Sequence, residues 1–451
     1  MESDSRFGPL GSPEELRAFA ALQPRLLDIL ARHSDPDWAH TSIVVPSLSV
    51  DQEELSKVDG ASFYEERLLF TLIRLAHPPA RMVYLTSQPI HPETLEYYLQ
   101  HVPGLPIGRV KPRLLVLSLG DASPKPLTQK ILARPRLIRR IKEWVGPQDR
   151  AYLTVYNSTP LERRLAVELG VPLNAVDPGL LWIGSKSGSR RVFREAGVDL
   201  APGEEDLRTE EDLIQAVDRL RSAQPRLERV VVKLNDSFAG EGNGVLRLPA
   251  ALPSEQGPRH AAIGQALREL QFPGDRESSA GFLSKLGETG GVVEAWIEAA
   301  EVHSPSVQMR ILPDGTVETI SAHDQVLGGT TGQVYLGCRF PSSPAYTPLI
   351  LSDAEKIARV LRDHGVVGRF GIDFLTTRES GGGWESRAIE INLRMGGTTP
   401  PYMALQFLTG GSFDTQSGSY VAPDGSQKHY FATDNLKSPD YRGLLPEDLF
   451  D

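Results

Sequence analysis

The chain has 451 residues, 40% hydrophobic and 24% charged, with 58 acidic against 48 basic side chains and a formal net charge of −10. That length allows about three domains, and the acidic surplus argues against nonspecific binding to nucleic acid or to an anionic membrane. A single cysteine, Cys338, excludes an internal disulfide, and no apolar run approaches the ~18–20 residues of a membrane span.

The first residues, Met1-Glu2-Ser3-Asp4-Ser5, are polar and acidic, so no signal peptide is expected there and the protein is expected to be soluble and cytoplasmic. The first third alternates short apolar runs with helical patterns. Strands are predicted at residues 42–46, 81–86, 113–119 and 151–155, with helices at 92–99 and 161–169, the latter stopped by Gly170. Such alternation suggests a parallel α/β sheet. No GxGxxG follows any of these strands, so a dinucleotide site is not supported.

From Gly184 the texture changes. Helices are predicted at 185–196 and 210–222, then a strand at 229–234 ending in Lys233-Leu234, and a glycine-rich loop up to Gly244. The stretch from Pro249 to Gly291, with one helix near 261–270, reads as a partly mobile insertion. The remainder is rich in strands: 292–297, then 307–312 and 316–321 joined by the turn Pro313-Asp314-Gly315. A helix at 354–363 leads to strands at 371–376 and 386–392.

The last two strands carry the strongest chemical signal. Asp373 lies on one; Glu390 and Asn392 lie on the other, two residues apart and on one face. Two carboxylates and an amide oxygen form a hard-oxygen set suited to Mg²⁺, and Arg394 continues that face toward a phosphate or a developing oxyanion. The alternative is an exposed strand face with scattered charges, but Ile372, Phe374, Ile389 and Ile391 bracket the polar residues as in central strands. A second signal is Lys233 with Gly240, Gly242 and Gly244: glycines turn backbone N–H groups toward a phosphate and lysine adds charge. GxxxxGK[ST] is absent, and a plain flexible turn fits equally well. Lys186, at a helix start, is weak alone. In Glu294-Ala295-Trp296-Ile297 an extended segment can offer backbone groups to a purine edge, and Glu301 stands seven residues on; an edge strand would look the same.

Taken in order, a lysine, a lysine with a glycine loop, Glu-x-x-Ile and Asp…Glu-x-Asn-x-Arg resemble the ATP-grasp superfamily over roughly residues 184–408. The resemblance implies a mixed α/β and α+β fold. A Rossmann-like pre-ATP-grasp domain (1–183) precedes a two-lobed ATP-grasp fold, with a small lobe at 184–291 and a large lobe at 292–408, and a C-terminal extension at 409–451 closes the chain. It further implies that Lys186 and Lys233 contact the α- and β-phosphates of ATP, and that the loop from Ser237 through Gly240 and Gly242 closes over the phosphates. Glu294 and Ile297 would hold adenine, and Glu301 the ribose. Asp373, Glu390 and Asn392 would bind two Mg²⁺, with Mn²⁺ as a substitute, and Arg394 would stabilise the reacting phosphoryl and acyl groups.

The runs Gly396-Gly397-Thr398-Thr399-Pro400-Pro401 and Leu327-Gly328-Gly329-Thr330-Thr331-Gly332-Gln333 are similar to the pheganomycin-type peptide ligases. The expected activity is therefore ATP-dependent ligation of a carboxylate to the amine of an amino acid or peptide in specialised biosynthesis. The expected partners are small molecules, with no nucleic acid or membrane, and the reading admits a homodimer. The alternatives are a non-amino-acid amine or a thiol as nucleophile, or a nucleotide-binding relative without turnover. On the substrate side, Ser306, Gln308 and Arg310 share a strand face; Arg310 could meet a carboxylate or acyl phosphate, or a structural acid. His323, Asp324 and Gln325 are similar candidates, and Cys338 reads as structural.

Overall fold

A computed structural model describes residues 7–33, 35–50, 60–101, 106–236, 242–273, 277–329, 332–433, 436 and 438–450. Four parallel strands open the chain: β1 (Thr41–Val45), β2 (Arg81–Thr86), β3 (Leu114–Ser118) and β4 (Ala151–Val155), in the order β3-β2-β1-β4. The central strand β1 and the edge strand β4 are both buried throughout, which is why they read as unbroken apolar runs. The helix Pro160–Leu169 that follows β4 is fixed by its sequence. Pro160 sits in the first turn, Thr159 and Glu162 form a capping box, and Gly170 ends it in the left-handed region. A 3₁₀ helix, Ala61–Ala76, packs its Leu68, Leu69, Leu72 and Leu75 into the core against β2.

The second sheet is antiparallel: β5 (Gly203–Leu207), β6 (Arg229–Leu234), β7 (Asn243–Arg247) and β8 (Gly291–Ala295), ordered β5-β8-β6-β7. The stretch from Pro249 to Gly291 departs from expectation. It forms two helices, Gln256–Leu267 and Ser279–Thr289, and their Ile263, Leu267, Phe282 and Leu286 are buried in the core of this sheet. β8 belongs to the same sheet, so the expected boundary at 291/292 falls inside a strand.

The third sheet contains β9 (Glu301–His303), β10 (Pro305–Ile311), β11 (Val317–Gly328), β12 (Val334–Phe340), β13 (Gly368–Arg378) and β14 (Trp384–Asn392). Its order is β14-β13-β10-β11-β12, with β9 paired to β13. β15 (Ser412–Asp414) and β16 (Ser419–Val421) form a separate hairpin, and β17 (Tyr430–Ala432) returns to pair with β12. Phe370, Ile372, Phe374 and Ile391 point to one side, where the helix Thr347–Asp363 covers them with Ile350, Ala354, Ile357 and Leu361. Each such burial stabilises by about 1.5–3 kcal/mol. The same period of two sends Asp373 and Glu390 to the opposite side, toward the second sheet. No described helix is long and apolar enough to cross a membrane.

Candidate active site

A cavity of about 750 Å³ lies between the second and third sheets. The third sheet forms one wall. Asp373 and Glu390 stand directly opposite each other across β13 and β14, and Asn392 is opposite Gly371. A bulge follows at once, because Phe374 pairs with Ala388 and leaves Ile389 unpaired. Bulges re-aim side chains, and Ile389 joins Glu390 on the cavity wall although strict alternation sends it to the other face. Gln325 Nε2 donates to Asp373 Oδ1 at 2.9 Å, and Asn392 Nδ2 to Asp373 Oδ2 at 3.0 Å. Burial, then the neighbouring Glu390 carboxylate, raise the Asp373 pKa. Burial opposes ionisation of Glu390 too, but Lys186 and Arg394 outweigh it and hold Glu390 below its usual range.

Lys186 reaches Glu390 from the helix Lys186–Glu195 and forms an ion pair with it. The helix is placed by three contacts. Ser185 caps it, accepting from Gly188 N–H at 3.0 Å. Ser189 Oγ accepts from Ile391 N–H on β14 at 3.1 Å, and Ser187 N–H donates to Asn235 Oδ1 at 2.9 Å. The approach requires Gly188: a Cβ there would sit 1.9 Å from the Trp182 carbonyl oxygen.

The second sheet forms the other wall. Lys233 on β6 pairs at 2.6 Å with Glu294 on β8, and Arg190, one turn after Lys186, pairs with the other oxygen of Glu294 at 2.5 Å. Burial works against the Glu294 charge, but Lys233 and Arg190 prevail and lower its pKa. The Glu294 carboxylate is thus committed to two cations. Trp296 and Ile297 continue past it along the cavity. Asn243 Oδ1 and Gln333 Oε1, on residues lining the same space, are buried without a hydrogen-bond partner among the described residues. Buried acceptors of this kind call for a donor from a ligand or water.

Of the residues singled out from sequence, Lys186, Lys233, Glu294, Ile297, Asp373, Glu390, Asn392 and Arg394 line this one cavity, as do Ser306, Gln308, Asp324 and Gln325. Gly242 is buried beside it, its carbonyl accepting from Leu234 N–H at 2.9 Å. Ser237 and Gly240 lie outside the described residues. Two of the residues singled out from sequence are not among those lining this cavity. Glu301 faces away: on β9 it stands opposite Arg378 and pairs with that guanidinium at 2.5 Å, because β9 lies along β13 with these two residues in register. Arg310 shares the strand face of Ser306 and Gln308, but four residues of rise at roughly 3.3 Å each carry it past the cavity. It lines a second cavity, paired with Glu318 at 2.5 Å. His323 is buried with Nε2 2.8 Å from the Tyr430 hydroxyl, and burial pushes its pKa down to about 3, so it is a neutral strand residue at ordinary pH. Cys338 is buried.

Sequence reasoning missed Arg190, Asn235 and Asn243. Arg190 had a signal, because it lies four residues after Lys186 and so on the same helix face. It also missed Tyr64 and Arg67, which the 3₁₀ helix of the first domain brings to the cavity, the Arg67 guanidinium lying 3.6 Å from the Tyr64 ring centre.

The described residues hold no cluster of three or more His, Cys, Asp or Glu poised for a metal. Two facing carboxylates with an amide beside them nevertheless match the donor set of a Mg²⁺ that retains water and phosphate ligands. Asp373 stands directly opposite Glu390, so two carboxylates are held in proximity, which a dication relieves.

The sequence model described as IQCH-like, ATP-grasp matches residues 181–256 and 265–416, just over half of the chain. An L-propargylglycine–L-glutamate ligase from Streptantibioticus cattleyicolor is 30% identical over 420 residues, covering 91% of this chain and 82% of that protein. IQ motif-containing protein H of Danio rerio is 23% identical over 389 residues, covering 75% of this chain and 36% of that longer protein. Among solved structures, a biotin carboxylase–βγ-ATP complex from Campylobacter jejuni superposes with a TM-score of 0.51 at 13% identity, covering 84% of this chain and 70% of that one. The biotin carboxylase domain of Hydrogenobacter thermophilus 2-oxoglutarate carboxylase does so with a TM-score of 0.51 at 14% identity, covering 82% and 67%. Fold, order of motifs and similarity agree: the chain belongs to the ATP-grasp family, and within it resembles amino-acid ligases of the pheganomycin type.

Proposed function

We propose that the protein is an ATP-dependent ligase that activates a carboxylate as an acyl phosphate and joins it to the amine of an amino acid or peptide, releasing ADP and phosphate. The observation that carries the reading is the cavity in which Asp373, Glu390 and Asn392 face Lys186 and Lys233, with Arg394 beside them. The kinship with an amino-acid ligase along nine-tenths of the chain supports the same chemistry, in specialised metabolism. Lys186 and Lys233 neutralise the α- and β-phosphates, and Ser237, Gly240 and Gly242 are assigned to the same phosphates. Ile297 and the backbone at Glu294 meet adenine, while the Glu294 side chain holds Lys233 in place. Asp373, Glu390 and Asn392 hold Mg²⁺, two ions on this reading with Mn²⁺ able to substitute; when bound, the metal neutralises charge on the terminal phosphates. Arg394 faces the bond being formed: it stabilises the negative charge as a carboxylate oxygen takes the γ-phosphoryl group, and again as the amine nitrogen displaces phosphate from the acyl carbon. The chemistry needs positioning and charge neutralisation more than a side-chain nucleophile. The four-stranded parallel sheet of residues 1–183 serves as the pre-ATP-grasp domain, of Rossmann-like topology.

The test is to supply ATP, Mg²⁺ and amino acids in pairs and to identify products by mass spectrometry. A dipeptide formed with one ADP and one phosphate is expected, with ¹⁸O passing from the donor carboxylate to phosphate. Stoichiometric AMP would overturn the acyl-phosphate route.

A further inference from the structure

A second cavity, of about 540 Å³, lies behind the first between the parallel-sheet domain and the third sheet. The two cavities share Arg394 and Tyr156 in their walls. The back cavity is lined by Arg74 from the 3₁₀ helix, Arg310 from β10 and Arg369 from β13, against a single carboxylate, Glu318 on β11. Arg310 and Arg369 are directly opposite across their strands, and Arg310 is opposite Glu318 on its other side. Glu318 is therefore occupied by Arg310, at 2.7 Å from Nε and 2.5 Å from Nη2. Arg74 Nη1 donates to Thr154 Oγ1 at 3.1 Å. Arg369 is partly buried, and within hydrogen-bond reach it has only the Met403 sulfur, at 3.5 Å, among the described residues. Burial, then the charges of Arg310 and Arg74, push its pKa down to about 10. The same field acts on His33 in the cavity wall: burial and the neighbouring His40, then Arg74, His77 and Arg310, push it down to about 3.

Guanidinium groups are planar forks that match carboxylate geometry two bonds at a time. Three of them around one glutamate leave an excess of positive charge that an anionic group offsets. The space is in the range of small-molecule sites, and its shared wall with the ligation cavity puts that anion on a molecule reaching the reaction centre. We propose that the back cavity is a carboxylate subsite, in which Arg74, Arg310 and Arg369 hold a carboxylate of the amino-acid or peptide substrate other than the one being activated. This rests on the ligase reading above. The chemistry is the same whether the carboxylate is an acidic side chain or the far terminus of a peptide. Arg369, with no acid of its own, contributes most, and Arg74 joins it from the opposite domain, so an occupant bridges the two.

The subsite is tested first by calorimetric titration of the full chain with glutarate, and separately with inorganic phosphate, in the absence of ATP. Wild-type protein is expected to bind glutarate, and Arg369→Gln to bind it about tenfold or more weakly with an unchanged thermal midpoint. Arg74→Gln, at a partly exposed position, gives the same readout should Arg369→Gln fold poorly. Equal glutarate affinity in wild type and both variants, or no binding to wild type, overturns the site. Phosphate bound as tightly as glutarate and lost with the same arginines overturns the carboxylate assignment. Steady-state ligation then separates the sources. Arg369→Gln is expected to raise KM for the carboxylate substrate about tenfold while KM for ATP stays within about twofold. Loss of discrimination between L-glutamate and L-glutamine assigns a side-chain carboxylate; loss of discrimination between Ala-Ala and its C-terminal amide assigns a peptide terminus. If wild type makes no product from any amino-acid pair, the ligase reading fails, while the glutarate titration still decides the anion site.

Discussion

The two walls of the front cavity each present a lysine paired with a glutamate, yet the pairs differ in kind. On the second sheet, Glu294 is buried between two cations, Lys233 and Arg190, and its pairing is built into the fold. On the third sheet, Glu390 is partly exposed, meets Lys186, and stands opposite a second carboxylate that raises rather than relieves its local charge. The first arrangement is complete in itself. The second holds two acids together and is completed by an added cation. Composition alone would rank the two glutamates as equals; the number of neighbouring charges of each sign separates a structural acid from a ligand-binding one.

The contrast can be broken by substitution. Glu294→Gln leaves Lys233 without its buried counter-charge and Arg190 with only Glu205, at 3.1 Å, and unfolding in urea is expected to show a loss of about 3–5 kcal/mol. A loss under about 1 kcal/mol would mean that the pairing is no more structural than a surface ion pair. Glu390→Gln is expected to do the reverse: product formation falls about 100-fold or more, about 2.7 kcal/mol of transition-state stabilisation, while the thermal midpoint stays near wild type. Near-normal turnover at low Mg²⁺ would remove Glu390 from the metal set. Lys233→Ala is intermediate, with KM for ATP raised about tenfold and a moderate loss of stability, since Arg190 still holds Glu294. An unchanged ATP dependence would dissociate Lys233 from phosphate. Glu301→Gln is expected to be the mildest, with KM for ATP within about twofold, because its exposed pair with Arg378 lies outside the cavity; a large rise would restore the ribose role expected from sequence.

The sequence was most legible where period and chemistry coincide. Ile372-Asp373-Phe374 and Ile389-Glu390-Ile391-Asn392 announce strands with one buried face, and the structure brings their polar residues to one wall. The bulge that turns Ile389 into the cavity left no sign, because a bulge depends on how two strands pair and not on either alone. The placement of Glu301 was illegible for a similar reason. Its seven-residue spacing from Glu294 is compatible with a place in the cavity, but its pairing with Arg378 is set by where β9 lies along β13. The helix Ser279–Thr289 was hidden by Gly281 and Gly287, which lower helix propensity; burial of Phe282 and Leu286 overrides that cost. Tyr64, Arg67 and Arg74 lie on a helix more than 100 residues before the motifs, and only the docking of two domains shows that they matter.

The short strand β17 has a consequence beyond its three residues. By pairing with Cys338, Arg339 and Phe340 it occupies the hydrogen-bonding groups along the last three residues of β12, which would otherwise be an open template for strands of other molecules. Being short, it offers little such template itself. The segment that follows β16 therefore acts as a guard for the third sheet, and its removal should show as self-association before it shows as lost catalysis.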